Sequence, residues 1–315
     1  MMLSVALCTY NGAQFIRAQI ESILRQTLPV DEIVVCDDGS TDNTLQIIES
    51  IQTKTPTNIR IYRNETNLGV CANFQKAVNL CNGDIIFLSD QDDVWYSHKT
   101  KTIVDWFSDN PSKDVVFTNA ELIDESGHPQ KKTLFDAVGF NKKIQDFFSF
   151  GNEFAFLYLG WNYATGATMA LKTKYDFEKH CSEGIFHDFV IFLMSTLNKR
   201  SGFIQMPLMQ YRLHRDQTEG LRRSSDKKRA NQKNLIDPIF NQRGYGHLPI
   251  AATEECNRFL DFLRWRSTKN KISDLPSLLH KICRYQRTYN KKWLKCITYD
   301  ITRCIAPHYT RKTQQ

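Results

Sequence analysis

The first ninety or so residues change hydrophobic period again and again, and that alternation limits the fold more than any other feature of the chain. "LSVALCTY" is a short strand-like run with Leu3, Val5 and Leu7 on one face. Ile16, Ile20, Ile23 and Leu24 then recur at helical spacing. "DEIVVCDD" reads as a second, fully buried strand. Ser40 follows as the expected N-cap of a helix carrying Leu45, Ile48 and Ile51. "IRIYRN" is a third strand, Val70, Phe74, Ala77, Val78 and Cys81 form another stripe, and "NGD" turns the chain into "IIFLSD". Strands joined by helix-length crossovers predict an α/β protein with a Rossmann-like, mostly parallel central sheet flanked by helices.

Later segments are less regular. "DVVFTNAELID", "GATMALK" and "GFIQMPLMQYRLH" read as strands, and "HDFVIFLMSTL" as a helix beginning near His187. An aromatic-rich stretch from about Asp136 to Trp161 lies between them, with Phe147, Phe148, Phe150, Phe154, Phe156 and Tyr158. "LRRSSDKKRANQKN" is a polar, basic loop. The remainder, with Phe259, Leu263, Leu278 and Leu279, reads as a mainly helical C-terminal extension. The expected division is residues 1–220 as the α/β domain and residues 221–315 as a basic, mainly helical region.

No apolar run is long enough to cross a bilayer, and "MMLSVALCTYNG" lacks the basic start of a signal peptide. The nine cysteines include no C-x-x-C pair, which argues against a zinc site or a disulfide framework and for reduced thiols. These features predict a cytoplasmic protein. Residues 261–315 hold 13 Lys and Arg against 3 Asp, a net +10, although the whole chain is only +7. A tail of that charge suits an anionic membrane surface or a phosphorylated partner, and equally a solvated helical face.

Ligands of an open parallel sheet bind at the carboxyl ends of its strands. Thr9, Tyr10 and Asn11 fall there after the first strand, Asp37 and Asp38 after the second, and Asp90 and Asp92 after "IIFLS". Asp37 or Asp38 taken singly also fits a helix cap. In "LSDQDDVW" three carboxylates crowd into four positions, and a hard divalent cation, Mg²⁺ or Mn²⁺, relieves their repulsion. Such a cation binds through one or two carboxylates plus substrate phosphates. The first strand–helix turn, "TYNGAQF", has no G-x-G-x-x-G, and no G-x-x-x-x-G-K-[ST] occurs anywhere. Phosphate must therefore be held through metal, with Tyr10 free to stack on a base.

Five stretches together resemble family 2 glycosyltransferases of GT-A fold, in particular the bacterial rhamnosyltransferase-like group. They are "SVALCTYNGAQFIRAQIESILRQT", "DEIVVCDDGSTDNT", "NLGVCANFQKAVNLCNGDIIFLSDQDDVW", "HDFVIFL" and "YRLH". The resemblance implies a nucleotide-binding half over residues 1–98 and an acceptor-binding half over residues 99–220. It makes Tyr10 the base-stacking aromatic, Asp38 the carboxylate that accepts from the nucleobase with Asp37 beside it, and Asp90-Gln91-Asp92 the D-x-D motif. Asp90 is then expected near the ribose, Asp92 on the cation, and Asp93 in support. Asp188 takes the place of the general base with His187 beside it, and His214 that of a histidine near metal and diphosphate. From the residues alone, Asp188 reads first as an ordinary acid at a helix start, and only the resemblance reverses that preference.

The implied reaction moves one sugar from a nucleotide sugar, inverting the anomeric centre, with dTDP-rhamnose as first-choice donor. UDP-hexoses and UDP-N-acetylhexosamines are the alternatives. The expected acceptor is a growing surface polysaccharide (O-antigen or capsule) carried on undecaprenyl diphosphate at the inner face of the membrane. The Q-x-x-R-W signature of processive members is absent. The aromatics from Phe147 to Trp161 offer an acceptor surface. Arg212, Arg222 and Arg223 fit a loop that closes over the diphosphate and equally a plain solvated basic loop, and Asp93, Trp95, His187 and Arg212 are the expected substrate contacts. A sugar nucleotidyltransferase would want a glycine-rich, arginine-containing loop after the first strand, which is missing. A nucleic-acid-binding module would want its basic residues on a recognition motif, and none appears, so no nucleic-acid partner is expected.

Overall fold

The computed structural model describes residues 1–142, 145, 162–181, 186–197, 199–215 and 217. The aromatic stretch, Arg222, Arg223 and the C-terminal region lie outside the described residues. Nine strands form one sheet: β1 (Leu3–Thr9), β2 (Glu32–Asp37), β3 (Asn58–Arg63), β4 (Ile85–Ser89), β5 (Val94–Trp95), β6 (Val115–Ile123), β7 (Pro129–Thr133), β8 (Met169–Leu171) and β9 (Ser201–Arg212). Among the described residues six α-helices accompany them: α1 (Ile16–Leu24), α2 (Thr44–Gln52), α3 (Val70–Leu80), α4 (Lys99–Asp109), α5 (Leu134–Ala137) and α6 (His187–Leu197).

The strands run in the order β3-β2-β1-β4-β8-β6-β9-β5, with β7 paired to β6. The first four are parallel, as their helical crossovers require. Every residue of β1, β2 and β4 is buried, the signature of a sheet covered on both faces. In β3, at the edge, only Ile59 is buried, and arginines at positions 60 and 63 keep that edge polar. Register sets the strand ends: Thr9 lies opposite Asp37, and Leu7 opposite Ser89. The loops leaving β1, β2 and β4 therefore emerge side by side.

Beyond β4 the sheet is mixed. β8 pairs antiparallel with both β4 and β6, β5 antiparallel with β9, and β6 parallel with β9. Several local expectations need correction. Ser40 does not cap α2, which starts at Thr44 after Asn43; the Ser40 hydroxyl donates to Asp37 instead. Asp42 does the capping work, accepting from the Thr44 backbone N–H at 3.0 Å. "GATMALK" begins as a 3₁₀ turn over Gly166–Thr168 and only then becomes β8. The strands β5 and β7 give no periodic signal, one being two residues long and the other exposed and polar.

Candidate functional site

The three adjacent loops at the carboxyl edge are tied together by side chains. The Tyr10 N–H donates to Gln91 Oε1 at 2.8 Å, and Gln91 Nε2 returns a bond to the Tyr10 carbonyl at 3.0 Å. Gly12 is required here, since a Cβ at that position would run into the Gln91 amide. Asn11, at φ 48°, accepts from the Thr41 N–H at 2.8 Å while its own N–H donates to Ser40 Oγ at 2.9 Å. Its side chain thus joins loop to loop. The Tyr10 ring is left 48% exposed above this framework, open for stacking.

Asp37 and Asp38 divide the two roles that the sequence allowed. Asp37 is a turn former, accepting from the N–H groups of Gly39 and Ser40 at 3.2 and 3.0 Å. Asp38 holds the following loop: it accepts from Asn64 Nδ2 and the Leu68 N–H at 2.8 Å each and from the Gly69 N–H at 2.9 Å. These three donors leave lone pairs over on the carboxyl oxygens. Thr9 Oγ1 is buried nearby with no hydrogen-bond partner among the described residues.

The acidic loop carries the strongest electrostatics. Burial, then the charge of Asp92, pushes Asp90 up to about 7, with Asp188 adding to the rise. Burial, then Asp92 and Asp90, raises Asp93 well above its ordinary value. Tyr211 lies deep among Asp93, Asp90, Asp92 and Asp188, which after burial itself raise its pKa. Four carboxylates therefore share one neighbourhood, although Asp188 comes from α6, about a hundred residues along the chain. Asp188 is in the first turn of that helix, where the dipole favours the ionised form.

Asp92 meets His214 here, with Oδ2 2.7 Å from Nε2. The His214 ring is steadied by Phe15, at a centroid distance of 4.9 Å. Among the described residues no group of three or more His, Cys, Asp or Glu side chains is arranged to hold a metal ion by itself. One carboxylate and one imidazole converging beside an excess of negative charge fit a Mg²⁺ or Mn²⁺ ion whose remaining positions are filled by phosphate oxygens and water. Asp93 Oδ2 is buried without a hydrogen-bond partner among the described residues, and the raised pKa of its carboxyl reflects burial and the crowding of negative charge that such an ion relieves.

Four of the expected substrate contacts have protein partners of their own. Trp95 is core, packed on Phe87 and lying under the Lys99 ammonium. His187 is buried and stacked on Phe74 at 4.1 Å, so it seats the start of α6. Asp93 is only 1% exposed and accepts from the Arg212 N–H at 2.9 Å, backing the loop from below. Arg212 is no lid. Its Nε donates to the Asp92 carbonyl at 2.8 Å, its Nη1 to the Asp124 and Glu125 carbonyls at 3.3 and 3.0 Å, and its plane covers Phe15. Two members of the site escaped the sequence reading. Gln91 was only the middle letter of a motif. Lys99, wholly buried, donates to the Ala167 carbonyl at 3.2 Å and feels both Asp93 and Asp90.

With this geometry in hand, likeness to known proteins is informative. The family model described as Glycosyl transferase family 2 matches residues 4–176. The chain belongs to that family. A curated relative, the dTDP-rhamnosyl transferase RfbG of Shigella flexneri, is 30% identical over 232 residues, which are 68% of this chain and 73% of the relative. An uncharacterized glycosyltransferase of Nostoc sp., alr2836, is 33% identical over 133 residues, covering 40% of this chain and 41% of its own length. The chain thus spans well under two thirds of that relative. Among solved structures, residues 1–349 of S. aureus TarS in complex with UDP superpose with a TM-score of 0.52. At 23% identity, over 88% of this chain and 78% of TarS, that likeness is one of fold. The mixed sheet with flanking helices is the GT-A arrangement.

Proposed function

We propose that this family 2 member is an inverting, divalent-cation-dependent transferase. It would move one sugar, rhamnose from dTDP-rhamnose as first choice, onto a bacterial surface polysaccharide growing on undecaprenyl diphosphate. The observation that carries the reading is the convergence of Asp90, Asp92, His214 and Asp188 beside Tyr10 and Asp38 at one edge of the sheet. The 30% identity to a dTDP-rhamnosyl transferase favours that donor over the UDP-linked ones.

Each residue has a task suited to its surroundings. The exposed Tyr10 ring stacks on the base, while Asp38, fixed by three backbone and side-chain donors, accepts from a base N–H. Asp90 turns toward ribose hydroxyls. Asp92 and His214 would hold the cation, which when bound offsets negative charge on the departing diphosphate. Asp188 takes the proton from the acceptor hydroxyl as that oxygen attacks the anomeric carbon, a contribution of about 10²- to 10⁴-fold. Asp37, Asn11 and Gln91 keep the three loops in register so that these groups face one another.

Thermal shift with dTDP-rhamnose, UDP-glucose and UDP-N-acetylglucosamine, each with and without Mn²⁺, tests the reading together with the variant Asp188→Asn. One donor is expected to stabilise the protein in the presence of Mn²⁺. Asp188→Asn should keep that shift while losing about 10²-fold or more in transfer to a lipid-linked glycan. No stabilising donor in either condition, or near-normal turnover in the variant, would overturn the assignment.

A further inference from the structure

Five cysteines lie among the described residues, and they are not chemically alike. Cys8, Cys36 and Cys81 are fully inside. Burial pushes Cys36 up to about 11 and Cys81 up to about 12, and raises Cys8 well above its ordinary value. Thiols in that state are inert. Cys71 and Cys181 are half-buried instead, and the fold brings them together from 110 positions apart.

The packing that aligns them is specific. Cys71 is in the first turn of α3, where the helix dipole favours an anion. One turn further on, Gln75 clamps the segment that leads to Cys181. Its Oε1 accepts from the N–H groups of Phe177 and Glu178 at 2.7 and 3.1 Å, and its Nε2 donates to the Tyr175 carbonyl at 3.0 Å. A single 3₁₀ turn, Glu178–His180, then delivers Cys181, whose N–H closes on the Glu178 carbonyl at 2.9 Å. The stack of Phe74 on His187 fixes a third element against the same stretch of α3. The Cys181 thiol donates to the Phe177 carbonyl at 3.4 Å and lies beside Cys71 as well; that second contact, aided by His187, holds Cys71 down to about 6 against the effect of burial. The Cys181 thiol is correspondingly raised, first by that bond to Cys71 and then by burial.

We infer that Cys71 and Cys181 form a reactive pair, nucleophile and resolving thiol, through which a hydroperoxide oxidant closes a reversible disulfide between α3 and the segment before α6. The Cys71 thiolate attacks the O–O bond, forming S–O and releasing hydroxide, so that sulfur loses two electrons and the peroxide gains them. Loss of the Cys71 negative charge removes the main cause holding Cys181 protonated. Cys181 gives its proton to hydroxide, its sulfur attacks Cys71, the S–O bond breaks, and the departing hydroxide takes up, as water, the proton that Cys71 released to solvent on becoming a thiolate. Two thiols and one hydroperoxide become a disulfide, water and the reduced oxidant.

The place of this pair ties it to the donor pocket, a connection that rests on the function proposed above. Gly69, two residues before Cys71, donates its N–H to Asp38, and His187 and Asp188 begin the helix on the other side. A covalent strap there constrains the wall between the base-reading carboxylate and the general base.

The test is peroxide treatment of the full chain, alkylation of the remaining thiols and peptide mapping by mass spectrometry. A linked pair containing Cys71 and Cys181, reversed by dithiothreitol, is expected. Cys181→Ser should leave Cys71 trapped by dimedone as sulfenic acid, and Cys71→Ser should leave Cys181 reduced. Cys71 still fully alkylatable after treatment, or the same link formed without it, would overturn the pair. This mapping uses no nucleotide, so it stands or falls separately from the donor assignment. In protein that binds donor, oxidation should weaken binding by about fivefold or more, and Cys181→Ser should remove that loss. Unchanged donor binding with the disulfide formed would sink the link to the pocket.

Discussion

Glu32 shows how much of this fold hangs on single buried side chains. It opens β2, yet its carboxylate accepts from Ser4 Oγ and the Asn82 N–H at 2.6 Å each and from Arg60 Nη2 at 2.6 Å. One side chain thus joins β1, β3 and the turn into β4. Burial alone would raise its pKa, but the bonds from Ser4, Asn82 and Arg60 outweigh it and hold the carboxyl below 4.5. A folded pKa below the unfolded one gives stability that is present at neutral pH and lost as pH falls through the folded value. Glu32→Ala should cost about 3–5 kcal/mol in denaturant unfolding, because Arg60 and two other donors lose their partner. The gap between wild type and variant should narrow below pH 4.5; a gap that stays constant down to acid unfolding would contradict this account. Lys99 is the opposite case, an ammonium with no ion-pair partner within the described salt bridges, lowered to about 7 by burial against the pull of Asp93 and Asp90. Nothing in "YSHKTK" distinguishes it from a solvated helix start.

At the scale of elements, legibility followed how local the cause was. β1, β2, β4 and the stripes of α1 and α3 were readable because burial on both faces writes itself into consecutive residues. The acidic loop was readable too, since excess charge after an apolar strand demands a counterion. The bonds of Arg212 were not legible because its partners are backbone carbonyls at positions 92, 124 and 125, which leave no mark in sequence. It latches the end of β9 to the acidic loop. The true start of α2 was missed for a similar reason, since Asp37 takes the Ser40 hydroxyl and Asp42 accepts from Thr44 instead, and the 3₁₀ entry to β8 is set by Thr168, which donates its N–H and hydroxyl to the Thr165 carbonyl. Arg212→Ala is therefore expected to lower stability by roughly 3 kcal/mol, the scale of charged hydrogen bonds lost from a buried site. It should also shrink the donor-induced thermal shift, since the Asp92 carbonyl loses the Nε bond that holds the acidic loop, although the backbone N–H to Asp93 remains. A variant as stable as wild type with an unchanged shift would return Arg212 to the role of a loosely held surface cation.

The whole molecule separates its charge. Residues 261–315 carry a net +10, so the remainder sums to about −3 even though the chain totals +7. The matched family span ends at residue 176, well before that basic region, so the family's own chemistry does not explain the charge. None of the described helices is long and apolar enough to cross a membrane. A lipid-linked acceptor would nevertheless keep the reaction at a membrane surface, and basic residues near anionic headgroups contribute about 1 kcal/mol each. Localisation through this region should therefore be reversible and sensitive to salt. Cosedimentation with vesicles of mixed phosphatidylglycerol and phosphatidylcholine should retain the full chain at low ionic strength and release it at roughly 0.5 M salt, where the screening length is a few ångströms. Replacing lysines 291, 292 and 295 with glutamine should weaken the retention stepwise without altering the donor-induced thermal shift, because the residues proposed to bind donor all lie before position 215. Retention that ignores salt would point to apolar insertion, and no retention at all would leave the basic region without a membrane role.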